Sequence, residues 1–365
     1  MANTITVDRE NWLGYRWRGQ CLGGSSGNDA LADLLVLGLQ GSRQSNGEQA
    51  LSQRTSRIGS TSVARAITPD GPLVCMWSVR GAPHAHRAEQ LDFVRDALAT
   101  LDSDDGGTKY VEAVDEVAAV LKKIVKGKTA KGDASREVAD TVSGSLVQHC
   151  QRCNANHVAD GMFRAAGRQA EIVIGPAEDR STMLYPAPRV KQQRVRNPRE
   201  RLLEAFFRVN GPSTRTLYRV WQEVGTTGVA ELWEGLGDDL VRVEIGMKRY
   251  DLPESQLDAL RKARPAKGVA LVPPNDPYLR QTDRGLLVPD SVRRRKVFKA
   301  LAGPGALLVD GEIAGTWRYR RSDSEVTIEA FDSLDAGQQK TATKSAAAVA
   351  TSTGDDEPKV TFAST

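Results

Sequence analysis

His149, Cys150, Cys153 and His157 fall within nine residues, His-Cys-Gln-Arg-Cys-Asn-Ala-Asn-His, the densest set of metal-ligand types in the sequence. A Cys-x-x-Cys pair with a His four residues on can begin a zinc site, since thiolate and imidazole are ligands that tetrahedral zinc takes. A second ligand pair at a finger-length distance is missing, and a His directly beside a ligating Cys has difficulty reaching the same ion. Cys150, Cys153 and His157 are therefore expected to be ordinary side chains of a packed helix, with no metal. Two other concentrations are of charge. Between Ala187 and Val220 there are nine Lys or Arg against two Glu, and between Arg261 and Ala300 eleven against three Asp. Surfaces of that kind follow a phosphate backbone, because each neutralised phosphate releases condensed counterions. No phosphate-binding Gly loop, no dinucleotide Gly-x-Gly-x-x-Gly after a strand and no Ser/His/Asp set stands out, and Gly23 to Asn28 reads as a flexible turn.

These residues need elements to position them. Asn28 to Leu39 reads as a helix, with Asp29 as its cap and Leu31, Leu34 and Leu35 on one side. An apolar run from Gly71 to Arg80 reads as a strand, followed by a helix from Arg87 to Leu101. Glu112 to Val125 and Ser135 to Leu146 read as two more helices. Arg199 to Asn210 is a helix stopped by Gly211-Pro212, Ser213 caps a second from Thr216 to Val224, and Gly228 to Leu236 gives a third. The strands Leu240 to Ile245 and Lys248 to Leu252 then complete a pattern of three helices and a two-strand wing. Further on, Asp310-Gly311 between two β-rich runs signals a tight hairpin, since Gly accepts the positive φ the turn demands.

The length of 365 residues favours two or three modules, and 40% apolar with 26% charged residues indicates a globular chain. No apolar run approaches the ~18 residues of a membrane span, and the start lacks the layout of a signal peptide. With only four cysteines, a disulfide framework is excluded and a cytoplasmic, reducing location is expected. Residues 333–365 are rich in Ala, Thr, Ser, Gly, Lys and Asp, with almost no large apolar side chain. A tail of that kind is expected to be disordered and dispensable for stability.

The block from Leu271 to Arg321, Pro-Pro-Asn-Asp-Pro-Tyr-Leu through Arg-Arg-Arg-Lys-Val-Phe to Gly-Pro-Gly-Ala-Leu-Leu-Val-Asp-Gly-Glu-Ile-Ala-Gly-Thr-Trp-Arg, closely resembles the C-terminal segment of the winged-helix DNA glycosylases that repair interstrand crosslinks and bulky alkylpurines. Upstream, Leu37-Gly-Leu-Gln40-Gly-Ser42 with Arg54 a dozen residues on resembles that family's active-site stretch, and Trp77-Ser-Val-Arg80-Gly-Ala-Pro-His84 its Arg-Gly-Thr-x-His segment. Gly211 to Trp221 resembles the family's helix pair. The matches span residues 12–332 in the family's order.

The resemblance implies an α+β chain: tandem winged-helix units at residues 1–105, 106–195 and 196–260, followed by a small β-rich, barrel-like domain at 261–332. It implies a DNA-binding protein acting on duplex, alkylated DNA as a monofunctional glycosylase of cationic N-alkylpurines, bulky adducts or crosslinks, without metal or organic cofactor. In the family's motif a Gln, one intervening residue and a second Gln or Asp hold the attacking water; here Gln40 takes the first place and Ser42 the second. A purine alkylated at N7 already carries positive charge and leaves without strong protonation, so positioning water and supporting an oxocarbenium-like sugar suffice. A serine hydroxyl has the shorter reach, and that departure keeps open a catalytically impaired, DNA-binding alternative. Arg54, Arg80, His84, Arg194 and Arg196 are expected along the DNA groove, with guanidinium forks and imidazole meeting phosphate oxygens, and His86 on the surface.

Overall fold

Strands from widely separated stretches assemble into one six-stranded antiparallel sheet, in the order Leu39–Gln40, Pro83–Arg87, Leu73–Trp77, Ile172–Glu178, Ser181–Pro186, Thr129–Ala130. The computed structural model describes residues 4–23, 30–41, 45–100, 107–223, 225–280 and 283–363. Asp29, the expected helix cap, and Ser42 lie outside these residues. The fold is mixed α+β, and no helix among the described residues is long and apolar enough to cross a membrane.

The helix Ala32–Leu37 ends at Gly38, whose φ of +83° and close approach to His86 leave no room for a side chain: a Cβ there would come 2.4 Å from the His86 ring. The turn at Gly38 delivers Leu39–Gln40 to the sheet edge. Beneath it runs the helix Pro198–Asn210, which packs on Ala32–Leu37 and on Leu91–Ala97. Phe206 meets Tyr218 edge to face at 5.1 Å and Trp221 at 4.9 Å, tying this helix to Arg215–Gln222. Thr214, not Ser213, caps the latter, accepting from the Leu217 N–H at 3.2 Å. Thr226–Leu236 follows, then the hairpin Leu240–Ile245 with Lys248–Pro253. The N-terminal strand Ile5–Thr6 adds to this hairpin in parallel, opposite Val243 and Glu244.

The second sheet is five-stranded: Val269–Val272, Gly305–Val309, Glu312–Arg320, Glu325–Ala330, Lys359–Ala363. Asp310 and Gly311 both have positive φ, 49° and 80°, and make the two-residue turn between Val309 and Glu312.

Residues 333–363 are not disordered. Ala336–Thr351 is a helix with a capping box, Asp335 accepting from the Gln338 N–H while the Gln338 side chain bonds the Asp335 N–H. Lys359–Ala363 pairs in parallel with Glu325–Ala330. Ala342, Ala346, Val349 and Ala350 are fully buried, the first three packed with Leu271, Leu307, Trp317, Val326 and Ile328. Counting large apolar residues misses this, because alanines spaced four apart let a helix lie close on a sheet that supplies the bulk itself. Deleting residues 333–365 will therefore uncover several sheet side chains worth about 1.5–3 kcal/mol each. Differential scanning calorimetry should show the melting point fall by roughly 5 °C or more; an unchanged melting point would mean the helix is not docked.

The Cys/His stretch is likewise not a packed helix. Val147–Cys150 and Ala155–Val158 form a separate antiparallel hairpin, with Cys153 in its turn and the strands largely exposed. Alternation along a strand, where successive side chains face opposite ways, governs this segment. All four cysteines are free thiols.

Candidate active site

Gln40 sits on the edge strand of the six-stranded sheet, paired with His84 across the ladder. Its Oε1 accepts two charged donors, Arg80 Nη2 at 3.1 Å and Arg280 Nη2 at 3.0 Å. Each guanidinium is held in turn. Arg80 Nη1 donates to the Trp221 carbonyl at 2.9 Å, and Arg280 Nη2 also donates to Asn275 Oδ1 at 2.7 Å. Burial lowers the pKa of both, Arg280 to about 10, with the neighbouring Arg80 charge adding to the effect. Arg80 takes a left-handed conformation, φ 58°, costly for a residue with a Cβ and here fixed by its bonds to Gln40 and Trp221.

Each of the two guanidiniums lines a cleft. One, of about 640 Å³, is lined by Asn46, Asn275, Arg280, Arg284 and Lys299 among others. The other, of about 410 Å³, lies beyond Arg80 and includes Ser78, Tyr110, Arg164, Arg168 and Gln222. Behind the wall of the second cleft Ser78 Oγ, Gln222 Oε1 and Arg164 Nε are buried without a hydrogen-bond partner, a capacity that buried polar groups seldom leave unmet.

The residues read from the sequence divide. Gln40 and Arg80 come together. His84 is buried, with Nδ1 2.9 Å from the Ala82 carbonyl; desolvation above all, and then the charge of His86, holds its pKa well below the usual value, so it is a neutral ring beneath Gln40 rather than a phosphate contact. His86 is not a surface residue: it is fully buried, and burial lowers its pKa to about 4. Arg194 and Arg196 are exposed, on the segment before Pro198–Asn210.

Arg54 does not line a groove. Its side chain is fully buried and forms a two-pronged ion pair with Asp276, both N···O distances 2.8 Å, with further bonds to the Gln20 and Ala50 carbonyls. Asp276 also accepts from the Tyr278 N–H, and its carbonyl from the N–H groups of Leu279 and Arg280. Arg54 thus acts through Asp276, anchoring the loop that carries Asn275 and Arg280. Those two residues went unassigned in the sequence, although both belong to the Pro-Pro-Asn-Asp-Pro-Tyr-Leu block and its next residue; an Arg directly after that apolar Tyr-Leu step was the available signal. Glu48 was also missed. It lies on the helix Asn46–Ser52, its carboxyl pKa raised by burial, close enough to Cys75 to help burial push that thiol up to about 12.

A family model described as DNA glycosylase AlkZ-like matches residues 33–352. Among solved structures, the Streptomyces sahachiroi DNA glycosylase AlkZ shares the fold with a TM-score of 0.73 at 17% identity, over 98% of this chain and 100% of that one. No curated protein sequence matches the chain. The family model spans the Gln40 strand, the Arg80 turn, the Arg280 loop and the tail helix alike, and the chain belongs to the AlkZ-like DNA glycosylase family.

Proposed function

We propose that the protein is a monofunctional glycosylase that releases cationic N-alkylpurines, bulky or crosslinking adducts included, from duplex DNA. The observation that carries this is the convergence of Arg80 and Arg280, each lining a cleft, on the Gln40 carboxamide. With Oε1 occupied by both guanidiniums, the Nε2 protons are the carboxamide's remaining hydrogen-bond donors. Gln40 then orients water or a sugar oxygen as a donor, and the complementary acceptor falls to the Ser42 hydroxyl. The guanidiniums hold the phosphates on either side of the lesion, which places the reacting sugar against Gln40. Three helices followed by the hairpin support reading residues 196–260 as a winged-helix unit. Residues 1–105 and 106–195 are the two further units of this reading, and the β-rich domain starts at 261 and draws in the tail.

The test is release of free base from a duplex containing an N7-alkylated guanine, followed chromatographically. Release from that duplex and none from the unmodified one supports the reading. Binding without release from any alkylated duplex would replace it with a DNA-binding protein that kept the scaffold.

The exposed basic segment gives a separate expected result. Arg201 and Arg208 are tied to Asp33, whereas Arg194 and Arg196 are exposed. Reversing both to Glu should weaken binding to duplexes of any sequence. It should also reduce the slope of log affinity against log salt by up to about 2, at about 0.9 for each phosphate that is no longer neutralised. Fluorescence anisotropy over a salt series measures this, and an unchanged slope would remove these two residues from the interface.

A further inference from the structure

We propose that the tip of the hairpin Val147–Val158 binds a thiophilic divalent cation, Zn²⁺ above all, through Cys150, Cys153 and His157. Three features of the backbone build this site. Cys150 stands opposite Ala155, and His157, two residues on, therefore projects from the same face of the ladder as Cys150. The four-residue turn, with Asn154 at φ 48°, folds Cys153 back over that face. The ligand atoms of the three residues consequently lie within 4.8 Å of one another. Around a tetrahedral ion with Zn–S near 2.3 Å and Zn–N near 2.0 Å the ligand atoms stand about 3.5–3.8 Å apart. A closure of at most roughly 1 Å is thus required, within the reach of side-chain rotation on an exposed turn.

The surroundings of the ligands are those a metal site has. His157 Nδ1 lies 2.7 Å from the Val158 carbonyl. In the neutral ring that bond takes the Nδ1 proton and leaves Nε2 as the ligand atom, the arrangement by which outer partners fix a ligating imidazole. His149 is not a fourth ligand: it projects from the opposite face and its Nδ1 meets Asn156 Oδ1 at 3.2 Å. The fourth position is left for water. Binding displaces the thiol protons of Cys150 and Cys153 to solvent, and no electron is transferred. The hairpin is a two-stranded sheet by itself, with only Val158 of its strands buried. A pair of strands that short is marginal in water; Val158 and Val147 pack it on the neighbouring core, and an ion would join strand to turn at the exposed tip.

The full chain, reduced and stripped of metal by a chelator, is titrated with Zn²⁺ against a chromophoric competitor, and separately with Co²⁺. The expected result is one equivalent of Zn²⁺ bound, with thiolate-to-cobalt charge-transfer absorption in the Co²⁺ arm. Cys150→Ser, Cys153→Ser and His157→Ala should each weaken binding by at least about tenfold, while His149→Ala leaves it unchanged. Unaltered far-ultraviolet circular dichroism shows that each variant is folded. Absence of binding to the reduced chain, or binding that survives the double Cys150→Ser, Cys153→Ser change, would overturn the proposal.

Discussion

Replacing Gln40 by Ala should reduce excision of a cationic N7-alkylpurine by roughly 10–1000-fold, the scale on which loss of one preorganised polar group acts. DNA affinity should fall far less, because Arg80 and Arg280 remain and supply the charge. The change removes the carboxamide that both guanidiniums grip, so the effect belongs in the single-turnover rate rather than in binding. Ser42→Gln should raise the rate, by restoring the carboxamide that the family's motif carries in the second place. Unmodified purines should stay untouched in every variant, since their leaving groups need a proton that none of these residues provides. Equal single-turnover rates for wild type and Gln40→Ala would remove Gln40 from the chemistry. Arg280→Ala separates the two roles, because it should lower DNA affinity and its salt dependence. Two guanidiniums about 4 Å from a cationic base would each oppose it by about 4 kcal/mol at an effective dielectric of 20. On the proposed reading, phosphates held by both arginines would cancel that opposition.

Arg54→Ala should lower the unfolding free energy by about 3–5 kcal/mol, as expected when one partner of a dry ion pair is removed and the other is left charged. The pair is wholly enclosed, with neither side chain accessible. A change in Asp276 distinguishes an uncompensated charge from lost packing: Asp276→Asn added to Arg54→Ala should recover part of the loss, since it removes the stranded carboxylate and keeps the shape. Urea unfolding of the single and double variants measures both quantities. A loss below about 1 kcal/mol, the range of solvent-screened pairs, would mean that water reaches Arg54.

The contrast between Arg54 and Arg80 shows what the sequence could and could not convey. Both are Arg residues in stretches that resemble motifs of the family, and both read as phosphate contacts. Only the arrival of Asp276, 222 positions later, turns Arg54 inward, and no local pattern announces a partner at that distance. His84 and His86 illustrate the same limit. His84 was expected at a phosphate and His86 on the surface, yet both rings are buried. Locally determined elements were legible. The turn at Asp310-Gly311 and the strand Leu240–Ile245 follow from φ preference and alternation over a few residues. The tail helix failed for the opposite reason, its apolar face being made of alanines that composition counts as weak. Arg280 became a member of the site only through the loop that Asp276 anchors.

The pairing of Ile5–Thr6 with Val243–Glu244 has a consequence for how the chain comes into being. The helix that follows, Arg9–Gly19, is fastened through Arg9 to Glu312 and through Arg16 to the Tyr278 carbonyl. These partners of residues 5–19 are thus made more than 200 residues after them. Until then Trp12 and Trp17, both destined for the interior, have nowhere to go. Closing loops of that span is slow, and apolar surface waiting for it invites association with other chains. Nascent copies of this protein should therefore depend on holding factors until the C-terminal sheet emerges, and refolding from denaturant should give a yield that falls as protein concentration rises.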